Sequence, residues 1–255
     1  MVGRSDYWRK DSYDQMDKVV DNLAKGAFAD LYSDYIQYLK LRRQGLRKQS
    51  LAFAEKFISS YEDDPFEIRQ KVCWELFECT EPYWDSWPGG RGWLFPGNIE
   101  RKLISPMFEE WRQREPKNAN VWLYPLGGYL EWRTDVAFML EPHNPRCQFA
   151  ELTRVGAAIG FAVHELDHLG YILASTTEFS ELIAALTAVT EAIGVDLSVA
   201  AHETLVWLRA LREVQAEVDD DLRPAMRSRG IIRPESTSFY APLRWYRDAP
   251  RLWSR

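Results

Sequence analysis

The chain has 255 residues, 46% of them hydrophobic, and a net charge of −6. That is apolar material for one long domain or two small ones, and an acidic balance that disfavours non-specific attraction to nucleic acid. No apolar stretch reaches 18 residues without a charge, so no membrane span is expected. The three cysteines, Cys73, Cys79 and Cys147, are odd in number and form no C-x-x-C. That argues against a disulfide framework and for a reducing compartment. The opening "MVGRSDYWRKDSYDQMDK" has no apolar core of a signal peptide. The sequence reads as that of a cytoplasmic protein, and its simple architecture as bacterial.

Helical periodicity dominates the chain. Residues 14–40 place Val19, Val20, Leu23, Phe28, Leu31, Tyr32, Tyr35, Ile36 and Leu39 at spacings of three and four. The pattern predicts an amphipathic helix, or a pair broken at Gly26. "SLAFAEKFISSY" begins a second helix at Ser50, with Leu51, Ala54, Phe57 and Ile58 on one face. "EDDP" interrupts it. Pro65 suits a first helical position, and Ile68, Val72, Leu76 and Phe77 carry the next face.

Residues 80–98 hold three prolines and four glycines and read as a loop, an unusually aromatic one. Trp84, Trp87, Trp93 and Phe95 bring large apolar area to it, and Trp84, Trp87, Arg91 and Trp93 are of the residue types that dominate interface hot spots. They form either a partner-binding surface or a lid on the helices. A helix is expected from Glu100 to Arg114, then a turn, then a helical pattern to Pro142. "HNPRC" is again a turn. Residues 147–174 are expected to form one or two helices. Residues 178–193 and 196–222 are expected to form a helical hairpin joined at Gly194 and capped by Asp196. Beyond Pro224 the chain is Arg- and Pro-rich and is expected to be irregular. Its last 33 residues carry eight arginines against two acids, a net +6. This basic segment, 223–255, either packs on the acidic body of residues 1–222 or captures an acidic partner, with Arg244, Trp245 and Arg247 as contacts.

No run shows the alternation of a strand, and loops recur every 20–35 residues. That rhythm predicts an all-α fold of stacked antiparallel helix pairs, an α-solenoid. Two segments resemble tetratricopeptide repeats. In "LKLRRQGLRKQSLAFAEKFISSYEDDP" Gly45 sits at the turn, Ser50 at the small position, and Ala54 and Phe57 point inward. "NVWLYPLGGYLEWRTDVAFMLEPHNP" has Trp122, Leu126, Gly127, Tyr129 and Ala137, closing with Leu140 to Asn144. Its spacing falls short of the 34-residue unit of that repeat. The resemblance covers about 50 residues and implies a scaffold, without a particular activity.

"HELDH" at 164–168 fits H-E-x-x-H, in which two histidines one helical turn apart bind zinc and the glutamate acts as base. The longer "HELDHLGY" is similar to the H-E-x-D-H-L-x-G motif of peptide deformylases, with the glycine one position early. The resemblance implies His164 and His168 as zinc or iron ligands, Glu165 as general base and Asp167 at the acidic position. The rest of that pattern is missing. Trp122 stands where the family's third ligand, a cysteine, belongs, and the upstream Gly-rich motif is absent. Cys147, Glu191 and His202 are the other candidate third ligands. The alternative reading gives the segment a structural role: Val163, Leu166, Leu169 and Gly170 face the core and the polar residues face solvent.

No phosphate-binding glycine motif and no G-x-S-x-G occurs. "KLRRQGLRK" (40–48) reads as the solvated end of a helix. The sequence therefore leads to a protein that binds another protein, as an adaptor or a toxin-neutralising immunity-type protein. No catalytic residue, metal or cofactor is expected, and neither nucleic acid nor membrane as partner. A zinc hydrolase centred on His164, Glu165 and His168 is the alternative.

Overall fold

The computed structural model describes residues 10–25, 29–80, 95, 97–123, 133–193 and 199–234. Among them every regular element is a helix, as the periodicity predicts. The chain divides into two compact units, residues 1–114 and 115–255.

The first unit begins with α1 (Lys10–Lys25). A 3-10 turn at Ala29–Tyr32 leads into α2 (Ser33–Arg43). The stretch 14–40 is thus a broken pair. α2 ends at Gly45, whose φ of +77° favours a residue without a side chain. The Gly45 N–H bonds the Arg42 carbonyl at 3.0 Å and the Leu46 N–H bonds the Leu41 carbonyl at 2.9 Å. This closes α2 in a Schellman turn and starts α3 (Arg47–Ser59) against it. Ser50, Ala54 and Phe57 are buried along that contact, and the Ser50 hydroxyl donates to the Arg47 carbonyl at 2.7 Å.

α4 (Phe66–Thr80) turns Phe66, Val72, Cys73, Leu76 and Phe77 inward. Ile68, expected on that face, is 45% exposed. At 100° per residue it stands about a third of a turn from the centre of the buried stripe. A π turn at Glu100–Ile104 widens the entry to α5 (Ser105–Arg114), which buries Met107, Phe108 and Trp111. Trp74 stacks on Phe77 at 5.1 Å and meets Trp111 edge-on at 5.4 Å. Phe95, expected either on a partner-binding surface or in a lid on the helices, is buried, with its ring 6.4 Å from that of Tyr35. Burying such a ring is worth about 1.5–3 kcal/mol, so the Phe95 ring belongs to the core of this unit.

Among its described residues the second unit has a 3-10 turn at Ala119–Trp122 and five α-helices, α6 (Thr134–Leu140), α7 (Pro145–Ala162), α8 (Thr176–Ile193), α9 (Val199–Glu217) and α10 (Leu222–Ser228), each packed on the next. "HNPRC" is less a turn than a helix start. The Asn144 side chain accepts from the Arg146 N–H at 3.0 Å and Pro145 takes the first helical position. Ser175 and Glu178 form a reciprocal capping box at the head of α8. The core comprises Leu152, Val155 and Ile159 of α7, Phe179, Leu186 and Val189 of α8, and Leu208, Leu211 and Val214 of α9. Among the described residues one carboxylate of this unit is buried. Glu151 accepts from the Thr134 hydroxyl at 2.8 Å and from Arg154 at 2.5 and 2.8 Å, tying α6 to α7.

Two boundaries differ from expectation. α7 stops at Ala162, not near residue 174, because the chain folds back and the Leu173 N–H bonds the Ala162 carbonyl at 2.8 Å. The stretch beyond Pro224 is helical to Ser228. Pro224 is third in α10, where a helix has no use for its N–H.

Candidate partner-binding cleft

The residues of "HELDH" do not share a face of an α-helix. His164–Leu166 form a 3-10 turn and Asp167–Leu169 a further turn. Val163, Leu166 and Gly170 are buried, while His164, Asp167 and His168 are exposed. Leu169, expected inside, is 53% exposed, because the chain has left the helical period by that point. The two imidazoles lie 6.2 Å apart between ring centroids, and His164 Nε2 is 3.7 Å from Glu165. Among the described residues no group of three or more His, Cys, Asp or Glu side chains comes together in the manner of a metal site. Glu191 and His202 are exposed on α8 and α9, and Cys147 is buried in α7.

What the turn does hold is the start of α10. Gly170, with φ of +79°, has the Asp221 and Arg223 side chains where its own would stand. Its carbonyl accepts from the Leu222 N–H at 2.7 Å. Asp221 caps α10 by accepting from the Arg223 N–H at 3.0 Å, and the Arg223 guanidinium closes back on the same carboxylate at 2.8 Å through two nitrogens. That pairing holds the Asp221 carboxyl well below the usual range, at about 2, with the side-chain bond from Arg223 the larger cause and the backbone bond the next. Arg223 Nη1 also reaches the His168 carbonyl at 3.2 Å and that of Asp167 at 3.4 Å.

α10 ends at Gly230 in a second Schellman turn, with the Ile231 N–H on the Met226 carbonyl at 2.9 Å. The chain then runs as an irregular strap, Ile231–Pro234, beside α9. Between strap and helix lies a cleft of about 410 Å³ lined by His202, Glu203, Val206, Trp207, Ile231 and Ile232, among others. Val206 is 60% exposed and Ile232 is 82% exposed. Trp207 is buried beside them, and among the described residues its indole N–H has no acceptor. The Arg233 guanidinium stands 5.7 Å from the centre of the Trp207 ring, within cation–π range, and donates to the Asp167 carboxylate.

Of the residues expected to bind a partner, Trp84, Trp87, Arg91, Trp93, Arg244, Trp245 and Arg247 lie outside the described residues, as do Gly26, Gly194 and Asp196. In the described part of the basic segment, Arg223, Arg229 and Arg233 sit on Asp221, Glu217 and Asp167 of their own unit. The sequence reading missed the cleft. Its signal was an apolar Val206 off the buried stripe of α9 and the pair Ile231–Ile232 inside an Arg/Pro-rich run. The chain matches no family model, no curated protein and no solved structure.

Proposed function

We propose that this chain is a non-catalytic interaction protein that seats an apolar segment of another protein in the cleft between α9 and Ile231–Pro234. The observation that carries the reading is the exposure of Val206 and Ile232 in the same cleft as a buried tryptophan. Large apolar side chains left in water around a concave, aromatic-floored site are the ordinary signature of a binding surface. In the wider proposal the helix pairs stack in a tetratricopeptide-like manner and the protein works in the bacterial cytoplasm, as an adaptor or as an immunity-type protein that neutralises a toxin.

The test compares complexes captured on the tagged wild-type chain with those on Val206→Asp/Ile232→Asp. Both side chains are exposed, so the double variant is expected to keep its unfolding midpoint. A specific partner identified by mass spectrometry is expected to be weakened by about 1–4 kcal/mol, the range of a hot spot. A complex that survives the double variant unchanged rejects the cleft. Loss of the same complex in Trp87→Ala and Trp93→Ala instead assigns the contact to the aromatic segment.

A further inference from the structure

We infer that the "HELDH" turn and Arg233 form a latch that holds the strap Ile231–Pro234 over Trp207, and that releasing the latch opens the cleft. Three observations on the second unit carry this. The strap has no regular structure, and its Ile231 N–H ties it to α10 in the Gly230 turn. Arg233 tethers the strap at long range: its guanidinium spans from Asp167, 66 residues earlier in the chain, to the face of Trp207. Among the described residues the buried Trp207 N–H has no acceptor under this cover, a desolvation penalty that the closed arrangement carries and an incoming carbonyl would relieve.

The tether is weak because of its surroundings. The Asp167 side chain is 62% exposed and that of Arg233 26% exposed, so the pair is screened by salt and contributes at the scale of a surface bridge. Its anchor is firm. The same turn is clamped to α10 through the Gly170–Leu222 bond and through Arg223 on the Asp167 and His168 carbonyls. Opening therefore swings the strap from Gly230 and leaves the turn and α10 in place. The latch belongs to this unit alone and stands whether or not a partner uses the cleft.

Native-state digestion with thermolysin, which cuts before Ile231 and Ile232, measures opening without any ligand. Cleavage there is expected to speed up about two- to five-fold in Asp167→Asn and further in Asp167→Arg, with the urea midpoint unchanged. The exchange Asp167→Arg/Arg233→Asp is expected to restore protection. High salt is expected to speed cleavage of the wild-type chain and leave Asp167→Asn unaffected. Dye binding by anilinonaphthalene sulfonate is expected to rise in the single variants as the buried Trp207 is uncovered. Cleavage at the wild-type rate in Asp167→Arg overturns the latch. So does faster cleavage that tracks a lowered urea midpoint, since the fold as a whole is then what opens.

Discussion

Gly170 and Asp221 occupy one space: a Cβ on the glycine would come within 2.6 Å of the Asp221 carboxyl carbon and 2.9 Å of Arg223 Nε. Gly170→Ala therefore meets two penalties, a left-handed backbone and a blocked volume. The first is worth about 1 kcal/mol and the second about 1–3 kcal/mol. Urea unfolding is expected to show a loss no smaller than the steric penalty by itself. Gly45→Ala, at a similar φ but with nothing within 4 Å of the added carbon, is expected to show the backbone penalty alone.

Acid should loosen the same joint. The Asp221 carboxyl titrates at about 2 in the folded chain and near 3.9 in an unfolded one. A depressed carboxyl stabilises the fold above its unfolded value, and that contribution drains away as pH falls from about 4 through about 2. Melting temperature followed across that window is expected to drop less steeply in Asp221→Asn than in the wild type. Parallel slopes would show that the Arg223 pairing does not set the acid response.

The buried Glu151 is the polar keystone of α6 and α7. Glu151→Ala strands the Thr134 hydroxyl, which is 1% exposed, and half-buried Arg154. The expected cost is about 1.5–3 kcal/mol, as for hydrogen bonds to a charged group. Thr134→Val removes one neutral donor and keeps the ion pair, so about 1 kcal/mol is expected. Chemical denaturation of the two variants, read against the wild type, checks the order.

His164 and His168 are exposed, and their alanine variants are expected to lie within about 0.5 kcal/mol of wild type. Zinc is expected to leave the melting temperature where it is. A zinc-dependent rise, lost in both variants, would bring back the metal reading of "HELDH", since a ligand that binds only the folded chain must stabilise it.

These side chains also show how far the sequence could be read. The inward set Ser50, Ala54 and Phe57 and the turn at Gly45 were legible because a helical hairpin is a local structure with a local period. So were Val163 and Leu166 inside and His164, Asp167 and His168 outside. The end of α7 was not legible: apolar residues continue at helical spacing through Ile172, and only the return bond from Leu173 to Ala162 says otherwise. Pro224 misled for a related reason. A proline reads as a breaker until the Asp221 cap shows that it stands in a first turn. Contacts such as Asp167 with Arg233 join distant parts of the chain, and no spacing rule reports them.

One consequence concerns the positive charge of the C-terminal segment. Between residues 223 and 234 three of the four arginines already rest on carboxylates of the same unit. An arginine seated in this way has its counterion built into the protein. Meeting a polyanion, it must first give up a carboxylate, and the release of condensed cations from nucleic acid that ordinarily rewards such a contact is offset by that exchange. As written, the segment is a strongly basic stretch. As folded, its first third is close to an internal salt.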